Sequence, residues 1–215
     1  GEENSVSPAK ADTGGQIPTP PQTEFVSALR YVDRATGNIY QTFADKIEER
    51  KFSGTVIPQI HEAFFGNFGN TVIMRYLKTD GRTVETFVGA LPKEILGGDS
   101  TGANEVRGAF LPANITDVSI SPDSKNVFYL FNSGETTVGT ILDLISGKRS
   151  RVFDSNFNEW LSLWSGSKTI TLTTKPSFAA PGYMYKLDLS TKSLVKILDG
   201  VSGLTTLLSP DGKMV

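Results

Sequence analysis

The stretch Ser121-Pro122-Asp123-Ser124-Lys125-Asn126-Val127 joins a tight polar turn to the opening of an apolar strand, Val127-Phe128-Tyr129-Leu130. It recurs 88 residues later as Ser209-Pro210-Asp211-Gly212-Lys213-Met214-Val215. Between the two copies, Trp164-Ser165-Gly166-Ser167-Lys168-Thr169-Ile170 fills the same role, so Val127, Ile170 and Val215 are spaced by 43 and 45 residues. Upstream, Phe68-Gly69-Asn70-Thr71-Val72 matches, with Val72 lying 55 residues before Val127. Recurrence at intervals of this size marks a repeat architecture, in which each unit buries its apolar face only against its neighbours.

A second element alternates with the first. Val32-Asp33-Arg34-Ala35-Thr36-Gly37, Leu142-Asp143-Leu144-Ile145-Ser146-Gly147 and Leu187-Asp188-Leu189-Ser190-Thr191-Lys192 share an apolar residue, an Asp and a Ser or Thr at fixed offsets, and Leu77-Lys78-Thr79-Asp80-Gly81 is assigned to the remaining slot. The segments between these turns are rich in β-branched and aromatic residues, as in Thr71 to Tyr76 and Thr169 to Thr174, which is the composition of strands. Each unit therefore reads as an inner hairpin followed by an outer one. Helical periodicity is weak, and the only candidate, Phe43 to Arg50, is too short to set the fold.

Four strands per roughly 40–50 residues is the arithmetic of a β-propeller blade. The Ser-Pro-Asp-Gly-Lys turn resembles the WD40-like repeats of TolB-type proteins and of the propellers of prolyl oligopeptidase-like enzymes. The region from Glu159 to Ser177 is also similar to uncharacterised propeller proteins with N-terminal anchors in candidate-phylum bacteria. The fold class is thus all-β, a propeller of four-stranded antiparallel blades over residues 24–215. An outer hairpin is expected at 25–43, whole blades near 56–90, 115–154 and 159–199, and an opening strand pair at 204–215. Those units do not obviously close a ring, so the chain reads as part of a larger one. Val72, Val127 and Ile170 are expected to be buried on the inner side of successive blades.

Residues 1–23 are dense in Gly, Ser, Thr and Pro with almost no large apolar side chain, which predicts a disordered linker. Lys10 against Glu2, Glu3 and Asp12 leaves this segment at −2 and the remainder balanced. Such a tether often follows a signal sequence or membrane anchor, which suggests a periplasmic or extracellular protein with a possible membrane tether upstream of Gly1. A flexible cytosolic terminus has the same composition and stays open.

The formal net charge of −2 argues against nucleic acid as a partner, because a nucleic-acid grip needs a basic face. No apolar run approaches the roughly 18 residues of a membrane-spanning helix. The absence of cysteine removes disulfides, thiolate nucleophiles and Cys-ligated zinc, and a single histidine, His61, removes every two-His metal motif. His61 would need a nucleophile and an orienting acid, and no Gly-x-Ser-x-Gly elbow exists, so a packed or channel-lining role is expected. Asp154 to Glu159 places oxygen donors alternately as a calcium loop does, but lacks the central Gly and the closing Glu. Gly134 and Gly139 have the spacing of a phosphate-binding loop without its lysine or helix. No catalytic residue, cofactor or metal is therefore expected.

Binding is the remaining role. Lys175 to Tyr185 (KPSFAAPGYMY) is a long connection on a rigid scaffold, the kind of place where binding residues concentrate. Phe178 and Tyr183 are its candidates, Phe178 because Pro176 and Pro181 on either side disfavour a regular ladder. Tyr183 and Tyr185 could instead alternate into a strand and pack between blades. A Gly-rich excursion from Leu91 to Phe110 is a further candidate loop. The expected function is a non-enzymatic binding scaffold for a protein or small ligand. The alternative is the propeller module of a hydrolase or peptidase whose catalytic residues lie outside this chain.

Overall fold

The computed structural model describes residues 27–51, 57–92, 106–207 and 209. The expected linker at 1–23 and the second Ser-Pro-Asp copy beyond Ser209 lie outside these. Strands β1 (Ala28–Val32), β2 (Ile39–Phe43) and β3 (Lys46–Lys51) form a three-stranded sheet. Three four-stranded sheets follow in chain order. Blade 1 holds β4 (Ile60–Gly66), β5 (Thr71–Leu77), β6 (Val84–Ala90) and β7 (Arg107–Phe110). Blade 2 holds β8 (Ile115–Ile120), β9 (Asn126–Ser133), β10 (Thr136–Asp143) and β11 (Arg149–Ser155). Blade 3 holds β12 (Trp160–Gly166), β13 (Thr169–Thr174), β14 (Gly182–Asp188) and β15 (Ser193–Val201). Every pairing is antiparallel between strands adjacent in sequence.

The second strand of each blade explains the stacking. A strand with neighbours on both faces reads as a continuous apolar run rather than an alternating one. Val72 and Met74 of β5 pack with Ile39 and Ile60 toward the three-stranded sheet, while Ile73 turns the other way into a cluster with Ile115, Val127 and Tyr129 of blade 2. Phe128 and Leu130 of β9 then face blade 3, where they meet Trp160, Trp164, Ile170 and Leu172. Val72, Val127 and Ile170 are all fully buried and stand second in their strands, as the repeat predicts.

The 121–127 turn shows why this sequence repeats. The Ser121 hydroxyl donates to Asp123 at 2.6 Å and accepts the Asn126 N–H at 2.9 Å, closing the β8–β9 hairpin. Ser124 sits at φ 58°, a left-handed conformation that glycine adopts without strain, and Gly212 occupies that place in the second copy.

Four boundaries differ from the sequence reading. Phe43 to Arg50 is not helical: Ala44 and Asp45 turn β2 into β3, so the expected hairpin at 25–43 gains a third strand. Blade 1 does not end at 90, because Arg107–Phe110, inside the expected inter-blade excursion, returns as its fourth strand. The Asp80 turn joins the second and third strands, whereas Asp143 and Asp188 join the third and fourth. A local Asx turn carries no information about which pair of strands it closes, hence the misassignment. His61, whose sequence context places it just before an inner strand, lies within β4 with its side chain exposed.

Candidate functional site

The inner strands are tied across blades by polar groups at matching positions. Glu62, Asp117 and Ser162 each stand third in β4, β8 and β12. Asp117 accepts the Ser162 backbone N–H and, at 2.6 Å, its hydroxyl, joining blade 2 to blade 3. Arg75, buried on β5, donates to Glu62 and to the Ile115 carbonyl at 2.6 Å, joining blade 1 to blade 2. Burial pushes the Asp117 carboxyl above its ordinary value, outweighing the two Ser162 hydrogen bonds. His61 is held below its usual range by burial and by the neighbouring Arg75 charge. Apart from the Arg75 Nε, which is buried without a hydrogen-bond partner, these groups pair within the protein, so the network reads as stitching between blades.

A cleft of about 860 Å³ opens on blade 3, where the link from blade 2 enters it. That volume falls within the usual size of a ligand pocket. Its wall begins at the blade-to-blade link after Ser155 and continues across the connection from Lys175 to Pro181 onto β14. Trp160 is its hub: the indole contacts Phe153, Phe157 and Tyr185 edge-on, with ring centroids 5.7, 5.2 and 5.6 Å away. The Trp160 Nε1–H donates to the Phe157 carbonyl at 2.7 Å, which satisfies its one donor and fixes the link against β12. Phe157 remains 45% exposed at the rim. Just beyond the β12–β13 ladder, Lys175 Nζ pairs with Glu159 at 2.9 Å, and the Lys175 N–H donates to the Glu159 carbonyl at 2.8 Å.

Of the two predicted binding residues, Tyr183 lines this cleft and Phe178 does not. The Tyr183 N–H donates to the Thr174 hydroxyl at 2.9 Å, and the Lys196 ammonium sits 5.0 Å from its ring centroid. Phe178 projects fully into solvent at 104% exposure, beside a smaller hollow of about 340 Å³ shared with Ser202 and Gly203. Phe157 and Trp160 were not singled out from sequence as site residues. Phe157 lies within the Asn-rich link and Trp160 follows it, and the meeting of that link with the 175–181 connection was the missing information.

Among the described residues no group of three or more His, Cys, Asp or Glu side chains could hold a metal ion. Asp154, the first position of the calcium-like run, is engaged by Arg151 instead. The phosphate-loop glycines have local causes: Gly134 takes φ 64° in the β9–β10 turn, and a Cβ at Gly139 would lie 2.6 Å from the Phe128 ring.

No protein-family model matches the chain, and no curated protein matches it in sequence. Solved structures do. The β-propeller domain of the trilobed protease from Pyrococcus furiosus is similar with a TM-score of 0.53 and 14% identity, covering 81% of this chain and 53% of that one. TolB from Acinetobacter baumannii gives 0.50 and 15%, with 86% and 45% covered. A puromycin-hydrolyzing peptidase from Mycobacterium tuberculosis gives 0.51 and 10%, with 82% and 30% covered. The class is therefore a β-propeller. More particularly, its four-stranded antiparallel blades have the fold of the propellers in TolB and in peptidases, and the chain spans about half or less of each of these neighbours.

Proposed function

We propose that this chain is a non-enzymatic propeller module that binds a ligand in the cleft at the entry to blade 3, outside the cytoplasm. The observation that carries the reading is the character of the cleft. Its wall is aromatic and proline-rich, its two charges neutralise each other, and its lining contains neither histidine nor cysteine. Concave, mostly apolar sites with few polar groups are the form that ligand recognition takes on rigid scaffolds. The Pro/Thr-rich segment at 1–23 supports placement on a tether outside the cytoplasm. The alternative, a propeller module serving a hydrolase or peptidase, draws on the peptidase neighbours and puts the chemistry in a separate domain.

Trp160 and Trp164 are the only tryptophans, so a Trp164→Phe variant leaves the cleft indole as the sole reporter. Titrating it with a panel of peptides and oligosaccharides should identify a ligand that shifts the emission, with affinity lowered at least tenfold by Tyr183→Ala. A ligand that binds equally well to Tyr183→Ala and Phe157→Ala would place the site elsewhere. Peptide hydrolysis by a longer form of the protein would favour the alternative.

A further inference from the structure

We infer that the cleft at the entry to blade 3 binds a proline-rich extended segment, and that the chain supplies one itself: residues Gln16 to Thr23 (QIPTPPQT) of a second copy. The inference rests on the cleft being the binding site. Its chemistry follows from the wall. Tyr183, Tyr185, Phe157 and Trp160, with Pro176 and Pro181, line an aromatic- and proline-rich groove of the kind that receives polyproline II segments. Such segments lose little conformational freedom on docking, because each proline ring already fixes φ near −65°.

Charge points to the same occupant. The only charged residues in the lining are Glu159 and Lys175, which pair with each other, so a charged ligand gains nothing there. Residues 13–23 contain no charged side chain at all, and they carry Pro18, Pro20 and Pro21 within four positions.

Reach decides between the same chain and another. The Arg34 carbonyl, just after β1, accepts the N–H of Ile60 at the start of β4, so Ser27 lies at the opposite end of the sheets. The cleft lies at the β4-start end, where the link after β11 enters blade 3. Sheets stack about 10 Å apart, so the cleft is roughly 25 Å across and a strand length away from Ser27. The six residues from Pro21 to Ser27 span at most about 20 Å. A second copy must deliver the segment.

The test uses the full chain with a fluorescein-labelled peptide of residues 13–23, read by anisotropy. Saturable binding is expected, lost when the peptide's three prolines are replaced by alanine and weakened at least tenfold by Tyr183→Ala at unchanged melting temperature. In sedimentation, the full chain should associate with rising concentration, and a Pro18, Pro20 and Pro21→Ala chain should remain monomeric. Equal binding of the proline-free peptide, which needs no protein variant, overturns the inference, as does Tyr183-independent binding. If the peptide fails while another ligand binds in a Tyr183-dependent way, the cleft survives and only this occupant falls. If every ligand is Tyr183-independent, both fall.

Discussion

At the residue scale, carboxylates do two opposite things. Asp80 accepts the Thr83 hydroxyl and the N–H groups of Thr83 and Arg82, and these bonds lower its pKa to about 2. Asp33, Asp123, Asp143 and Asp188 are lowered the same way by turn hydroxyls and N–H groups. A depressed carboxylate contributes stability above its unfolded pKa of about 4 and loses it as pH falls through the folded value. Asp117 is raised by burial, so its contribution runs the other way and is lost as pH rises. With Glu85, lowered by hydrogen bonds from Tyr76 and Lys78, six lowered carboxylates against one raised predict that unfolding free energy drops between about pH 4 and pH 2. Asp80→Asn should flatten that drop, and a urea midpoint unchanged across this window would contradict the assignment. Ile170, wholly buried between blades, should cost about 2–4 kcal/mol on truncation to Ala, as measured by denaturant melts.

At the element scale, strand identity was legible because its signal is local. The apolar runs at Val72, Val127 and Ile170 mark the second strand of each blade, which is buried on both faces by construction. Register and partnership were less so. Arg107–Phe110 completes blade 1 from across a long connection, and nothing in a four-residue exposed strand announces its partner. The Lys46–Lys51 strand reads as helical because charged residues dominate it, and only pairing with β2 makes it extended. Gly139 gives the sharpest test of blade packing. A methyl there would meet both the Phe128 ring and the Phe153 Cβ, so Gly139→Ala should destabilise by about 1–3 kcal/mol through overpacking. Calorimetry showing a neutral or stabilising change would mean that β9 and β10 are not packed as described.

At the scale of the whole molecule, each blade rests on its neighbours through one apolar cluster and one polar stitch, so stability is a sum of blade and interface contributions. The long connection at 175–185 was legible as a binding candidate from composition alone. The cleft itself was not, because Phe157 and Tyr183 come together only when the 155–159 link folds against β12 and β14 pairs beside it. The packing of equivalent strands across blades is the central claim, and Asp117 with Ser162 reports on it across 45 residues of sequence. A double-mutant cycle of Asp117→Ala and Ser162→Ala, followed by urea unfolding, measures whether the two side chains touch. The stacked-blade account predicts a coupling of about 1 kcal/mol or more. Additivity within about 0.3 kcal/mol would contradict it, since residues in separate, unstacked sheets do not couple.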